Sequence, residues 1–266
     1  MMKKYLLLGI MASVLTMNAQ DRLFTYTYQS GVLNSGQKEM EVWTTIANGR
    51  DHFYRGIEHR MEFEVGLGSN LQTSVYLNYG YNTAVDEENG TQNLVNETEY
   101  SVSNEWKLKM SDPVANRIGS ALYLEAELSP IEMALEGKIL LDKQFGKVTS
   151  ALNLVGEVVN EKDFVSDGTS IKTNNLGELN LEWNYGLSYK IKEHLGIGFE
   201  AFNQNQIVSS KWSNSVFLLG PCFSYSTNGF WVNISCMPQL ADFKGNGLEL
   251  TDHERLQTRI LLSYAF

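Results

Sequence analysis

From residue 38 to the end of the chain, apolar and polar side chains alternate with period two. The stretch 56–68, GIEHRMEFEVGLG, sets Ile57, Met61, Phe63, Val65 and Leu67 against Glu58, Arg60, Glu62 and Glu64, and only His59 interrupts the apolar row. A strand sends successive side chains to opposite faces, so this is a strand with one oily face and one ionic face. Further rows are as clean: Leu71, Thr73, Val75, Leu77, Tyr79 and Tyr81; Ile118, Leu122, Leu124, Ala126 and Leu128; Leu179, Leu181, Trp183, Tyr185, Leu187, Tyr189 and Ile191. The pattern predicts strands near 38–46, 55–67, 71–82, 98–110, 117–128, 133–143, 147–159, 177–191, 195–203, 215–226, 230–238 and 255–266. That is about twelve, each near the roughly 9–11 residues of a tilted membrane-crossing strand.

Two architectures share this alternation: a soluble barrel with oil inside, and a transmembrane barrel with oil outside and charge within. Four features favour the second. Lys3 and Lys4 precede a short apolar run, Tyr5–Leu15, in the manner of a signal peptide covering 1–19 with cleavage after Ala19. The final alternating row, Leu256 to Phe266, places Tyr264 and Phe266 where the terminal aromatic of a bacterial outer-membrane barrel acts as its assembly signal. Short connections at 68–70, 144–147, 192–194 and 228–229 alternate with longer polar segments at 83–97, 160–176, 204–214 and 239–254; periplasmic turns are short and extracellular loops long in such barrels. Aromatics sit near strand ends, with Tyr54, Tyr79, Tyr81 and Tyr100 expected at the outer interface and Trp106, Tyr189, Phe223, Tyr225 and Tyr264 at the inner one. The predicted fold class is all-β, an antiparallel up-and-down transmembrane barrel over 38–266, with 20–37 as a lead-in that either stays in the periplasm or enters the lumen.

Composition narrows the function. The 266 residues are 43% hydrophobic with mean hydropathy −0.24, and no run after residue 20 approaches the ~20 apolar residues of a membrane helix. The formal charge of −10 becomes −12 once Lys3 and Lys4 are removed, which opposes nucleic-acid binding. The inward rows would carry a charge network: Glu41, Glu58, Arg60, Glu62, Glu64, Glu99, Glu105, Lys107, Glu125, Glu127, Glu136, Lys138, Glu157, Glu182, Glu200, Arg255 and Arg259. Such a network can brace the wall through ion pairs or, with carboxylates in excess, favour cations in the lumen. With about twelve strands the pore is expected to be narrow or partly occluded, because ~8 strands fill with side chains and 16–18 leave an open channel.

No GxSxG elbow, P-loop, Rossmann glycine pattern or EF-hand loop occurs, and His52, His59, His194 and His253 lack metal-ligand spacing. His59 lies on the lipid-facing row near the outer rim, where a twelve-stranded membrane phospholipase keeps its catalytic histidine. That chemistry needs a serine two residues on, and Met61 stands there. The expectation is a channel or transport component for small cationic or neutral solutes, with no cofactor, no metal and no catalytic residues. Its partners would be outer-membrane lipid and the barrel-assembly machinery. The alternatives are an outer-membrane enzyme acting on lipid or glycan, and a surface adhesion or assembly protein working through its loops. The two cysteines test the last hairpin: Asn228-Gly229 as a two-residue turn sets Cys222 opposite Ser235, on the face away from Cys236, and so predicts two free thiols.

The segment Leu23–Tyr81 carries Phe24-x-Tyr26, Glu39 and Glu41 with Trp43, Gly49-Arg50, Glu62 and Glu64 with Gly66, and LQTSVYLNY at 71–79. It resembles a family of bacterial outer-membrane barrels known only as a domain of unknown function, and the end of its signal, Asn18-Ala19-Gln20, is similar to exports of the Bacteroidota. The resemblance implies a barrel and brings no activity.

Overall fold

The computed structural model describes residues 22–88, 91–166 and 171–266. The signal-peptide expectation for 1–19 falls outside them. The strands are β1 (Lys38–Asn48), β2 (Tyr54–Gly68), β3 (Leu71–Glu88), β4 (Thr91–Ser111), β5 (Gly119–Leu128), β6 (Glu132–Phe145), β7 (Val148–Ser166), β8 (Ile171–Lys192), β9 (Leu195–Val208), β10 (Lys211–Thr227), β11 (Phe230–Asp242) and β12 (Leu256–Ala265). Each pairs antiparallel with its neighbours in sequence, and β1 pairs with β12, so the sheet closes into a barrel without an edge. Closure satisfies every ladder, which the interior of a bilayer demands of any backbone crossing it.

The choice between the two architectures is made by the faces. Phe63 is 42% exposed, while its neighbours Glu62 and Glu64 are 1% and 8% exposed. Met61, Leu77, Leu122, Leu124 and Ile139 are likewise exposed, and Glu39, Glu105, Lys107, Glu125 and Glu200 are buried. Oil is outside and charge inside.

The start of β1 and the C-terminal residue meet at the end of the barrel closed by short turns, where the Phe266 amide donates to the Lys38 carbonyl at 3.0 Å. We call this the turn end. At the opposite end the expectation of long loops is corrected. The segments 83–97, 160–176 and 204–214 are mostly strand: β4 runs for 21 residues and β8 for 22, roughly 70 Å of extended chain. Among the described residues, only 243–255 form an extended connection of the expected kind. The reason is that a ribbon wetted on both faces needs no apolar row; its ladder hydrogen bonds suffice, so alternation ends where the strands do not. One aromatic is also reassigned. Tyr54 shares the inward row of Glu58, and the guanidinium carbon of Arg50 sits 3.6 Å from its ring centre. The remaining girdle residues are exposed on the outer surface.

The last hairpin has the expected register, Thr227 against Phe230 and Cys222 against Ser235. Cys222 is buried and Cys236 exposed, and both thiols are free.

Candidate functional site

Residues 22–37 enter the barrel from the turn end and fill the lower lumen. Phe24, Thr25, Thr27 and Ser30 have no exposed surface, and Leu33 is 3% exposed. A polar segment inside a lumen must find partners for its backbone, and the inward side chains supply them. The N–H groups of Thr25, Tyr26 and Thr27 donate to the Glu200 carboxylate at 2.7, 2.8 and 2.9 Å, and the Thr25 hydroxyl adds a fourth bond at 2.9 Å. Three successive amides make a small anion-binding concavity, which explains how a fully buried Glu200 is held without an ion-pair partner among the described residues. Asn153 brackets Tyr28, accepting from its N–H at 2.7 Å and donating to its carbonyl at 2.8 Å. Asn233 donates to the Arg22 carbonyl at 2.9 Å, and Gln72 accepts from the Leu33 amide at 2.9 Å.

Two glycines make room for the segment. A Cβ on Gly186 would lie 2.7 Å from ring carbons of Phe24, and one on Gly66 would lie 2.1 Å from the Asn34 carbonyl oxygen. Around Tyr28 the wall contributes Trp43, Tyr76, Tyr123, Leu140, Trp231 and Leu261, which pack with it into one buried apolar cluster. Arg22 lies over this layer, its guanidinium carbon 4.1 Å from the Tyr28 ring centre and 4.7 Å from that of Trp43.

The segment separates two cavities. Toward the turn end, Leu23 and Gln29 border a space of about 170 Å³. Toward the ribbon end, Tyr26 and Tyr28 form part of the floor of a vestibule of about 280 Å³. Six carboxylates line that vestibule (Glu58, Glu125, Glu127, Glu136, Glu157 and Glu182) against three cations, Arg60, Lys138 and Arg259. Arg60 pairs with Glu125 at 2.5 Å and Lys138 with Glu136 at 2.9 Å. Arg259 donates to Thr45 Oγ1 at 2.9 Å and stacks 3.8 Å from the Tyr26 ring centre. With two carboxylates paired, the vestibule keeps a negative surplus.

Strand register arranges the carboxylates further. Glu39 lies opposite Glu64, Glu64 opposite Ser74, and Ser74 opposite Glu105. Glu105 in turn faces Glu125, Glu125 faces Glu136, Glu136 faces Glu157, and Glu157 faces Asn180. Closing a tilted sheet requires a stagger, so a register row winds up the wall instead of closing into a ring. This row starts at the second residue of β1, near the turn end, and reaches the tenth residue of β7, in the vestibule. Like charges directly opposite one another are destabilising, so the row is an unfavourable element of the fold that its neighbours only partly offset.

The structure therefore brings most of the expected network together, in two groups. Glu41, Glu62, Glu64, Glu105, Lys107 and Glu200 are buried beside or below the inserted segment. Glu58, Arg60, Glu125, Glu127, Glu136, Lys138, Glu157, Glu182 and Arg259 surround the vestibule. Glu99 and Arg255 are exposed at the ribbon end, outside both groups. Sequence reading missed Arg22, Tyr76 and Tyr123, and also the pair of Arg50 with Glu254 that straps the β1–β2 connection to the segment before β12. The signal for Tyr26 and Tyr28 was present in the alternation of Phe24-Thr25-Tyr26-Thr27-Tyr28. His59 takes the outward position expected, 3.0 Å from Thr44 Oγ1 and stacked on Tyr79.

Solved structures share the architecture. An outer-membrane channel from Pseudomonas putida F1 superposes with a TM-score of 0.56 at 10% identity, covering 91% of this chain and 100% of that one. The translocator domain of the autotransporter NalP from Neisseria meningitidis gives 0.56 at 11% identity, covering 89% and 91%. The NanC porin gives 0.52 at 12% identity, covering 85% and 98%. At such identities the likeness is one of fold, that of outer-membrane β-barrels. No curated protein matches the chain. The model of a family of unknown function, DUF6662, matches residues 16–266, and this twelve-stranded barrel belongs to that family.

Proposed function

We propose that the protein is an outer-membrane channel for small cationic or neutral solutes, closed in the present state by its own residues 22–37. In this reading 1–19 is a signal peptide, the turn end faces the periplasm, and the ribbons project outside the cell. Membrane lipid and the barrel-assembly machinery are then its partners. The observation that carries the reading is the carboxylate row climbing from Glu39 to Glu157. Fixed carboxylates lining a wet lumen attract cations and repel anions, and such a use accounts for a row that costs stability. Wall bracing alone needs balanced charge, and the vestibule holds twice as many carboxylates as cations.

The test is planar-bilayer recording across a KCl gradient, comparing a chain opened by deletion of residues 22–33 with the same deletion carrying Glu136→Gln/Glu157→Gln. The reading expects a cation-directed reversal potential that shrinks in the double variant and shrinks again as salt screens the wall. An anion-directed potential at low salt would overturn it.

A further inference from the structure

Beside the inserted segment, β1 and β2 carry a second arrangement that the channel reading does not require. Glu41 lies directly opposite Glu62, and Glu39 opposite Glu64. One oxygen each from Glu41, Glu62 and Glu64 falls within 4.8 Å of the other two. These side chains are not in water: Glu41, Glu62 and Glu64 are 4%, 1% and 8% exposed. Arg22 reaches Glu41 at 3.5 Å, and Trp43 Nε1 donates to the same carboxylate at 3.0 Å. Neither contact accounts for Glu62, whose Oε1 is buried without a hydrogen-bond partner among the described residues. The hydroxyl of Ser74, opposite Glu64 in the ladder and 1% exposed, is also buried and unpartnered. Buried polar atoms are nearly always satisfied, so two orphaned oxygens at one cluster of carboxylates point to a missing positive partner.

We propose that Glu41, Glu62 and Glu64, with Ser74 beside them, bind one divalent cation of the calcium type. The ligand set is all oxygen, the preference of hard cations. The spacing fits the larger of them. Ligands at 2.3–2.6 Å place opposite oxygens up to roughly 5 Å apart, whereas the 2.0–2.1 Å of magnesium limits them to about 4.2 Å. Oxygens that all lie within 4.8 Å of one another fall inside the span of the larger ion. Charge agrees as well. Arg22 and Lys107 are the buried cations at this level, against the carboxylates of Glu39, Glu41, Glu62, Glu64 and Glu105, so a divalent ion meets a remaining negative surplus. Bound there, the cation would clamp β1 to β2 directly beneath Trp43 and fix the wall against which Arg22 holds the inserted segment. The site stands independently of conduction, since an ion held by three buried carboxylates is a resident and not a passenger.

The burial dictates the experiment. The purified full chain is refolded into detergent in the presence of Tb³⁺ as the calcium-like probe, and luminescence is excited through the protein's aromatic residues, with Trp43 adjacent to the site. A matched sample is refolded with ⁴⁵Ca²⁺ and freed of loose ion by gel filtration. The expected result is a single tightly held equivalent, displaced by Ca²⁺ far more readily than by Mg²⁺, with sensitised emission that falls in Trp43→Phe. Glu62→Gln/Glu64→Gln removes charge without changing size and should fold, as judged by circular dichroism, while losing the equivalent. Glu157→Gln/Glu182→Gln, in the vestibule, should keep it. Absence of a retained ion in the native chain would overturn the proposal, even if the double variant failed to fold. Equal retention in Glu62→Gln/Glu64→Gln would overturn it too. Neither outcome touches the reversal potential that tests the channel reading.

Discussion

Replacing Glu200 by alanine should release the inserted segment while leaving the barrel standing. Glu200 accepts from three backbone amides and one hydroxyl, buried at Thr25 and Thr27 and partly buried at Tyr26. Removing its carboxylate leaves three N–H groups inside the lumen without partners. At about 1–3 kcal/mol for each orphaned donor, the inserted state loses roughly 3–9 kcal/mol. The twelve ladders do not depend on these bonds, so the loss falls on docking of residues 22–33 and not on closure of the sheet. Even the lower limit corresponds to about two decades in the docking equilibrium. Hydrogen exchange read by mass spectrometry on protein folded in detergent should show protection of the Thr25–Thr27 amides falling by at least that much, with β2–β3 unchanged. Glu200→Gln keeps one carbonyl acceptor and should fall between. Native protection at Thr25–Thr27 in Glu200→Ala would refute the reasoning, and a parallel loss across β2–β3 would show that Glu200 supports the barrel instead.

Phe63, exposed on the outer wall and 6.1 Å ring to ring from Phe266, should not tolerate arginine: Phe63→Arg is expected to impair folding into vesicles, at a cost below the ~2–4 kcal/mol of a midplane site because it lies close to the terminal aromatics. Inward Glu127→Gln, which keeps an acceptor for the Ser101 hydroxyl, should fold normally; equal tolerance would reverse the faces. Mass spectrometry under non-reducing conditions should find Cys222 and Cys236 unbridged, and a native disulfide would contradict the register that separates their faces. In the turn after β4, the Asp112 carboxylate accepts a hydrogen bond from Lys109 at 2.7 Å and others from the Ala115 and Val114 amides, which together hold its pKa well below the usual aspartate range. A lowered folded pKa means that this turn gains stability above the unfolded value, ~3.9, and loses it only as pH falls through the folded value. Carboxyl titration by NMR should give Asp112 a midpoint below that of a free aspartate, and a normal midpoint would remove the bond from solution.

The barrel was legible wherever one strand face meets lipid. Rows such as Leu71–Tyr81 and Leu179–Ile191 placed strands and faces correctly, because only an extended chain with one face in an apolar medium sustains period two over so many residues. Legibility ended where both faces are wet: residues 92–97 and 175–176 carry no apolar row, yet their ladders continue. Tyr54 shows the related error, since an aromatic near a strand end suggests an interface until its row parity is followed down to Glu58. The carboxylates of the lumen were each visible, but their order was not. Only the Asn228-Gly229 turn fixed a register from sequence. The winding row from Glu39 to Glu157 depends on six further registers that no local signal sets. The Glu200 contact links residues about 175 apart in sequence, and nothing in Phe24–Tyr28 names its acceptor.

In the proposed channel, one wall of carboxylates forms a cation route which residues 22–37 close. Single-channel recording of a chain lacking residues 22–33, shown to be folded by heat-modifiable migration, tests it most directly. The account predicts a native chain that conducts rarely or not at all, and a deletion variant with long-lived openings whose reversal potential favours K⁺ over Cl⁻. A folded deletion variant that stays silent, or one that passes Cl⁻ in preference, would contradict it.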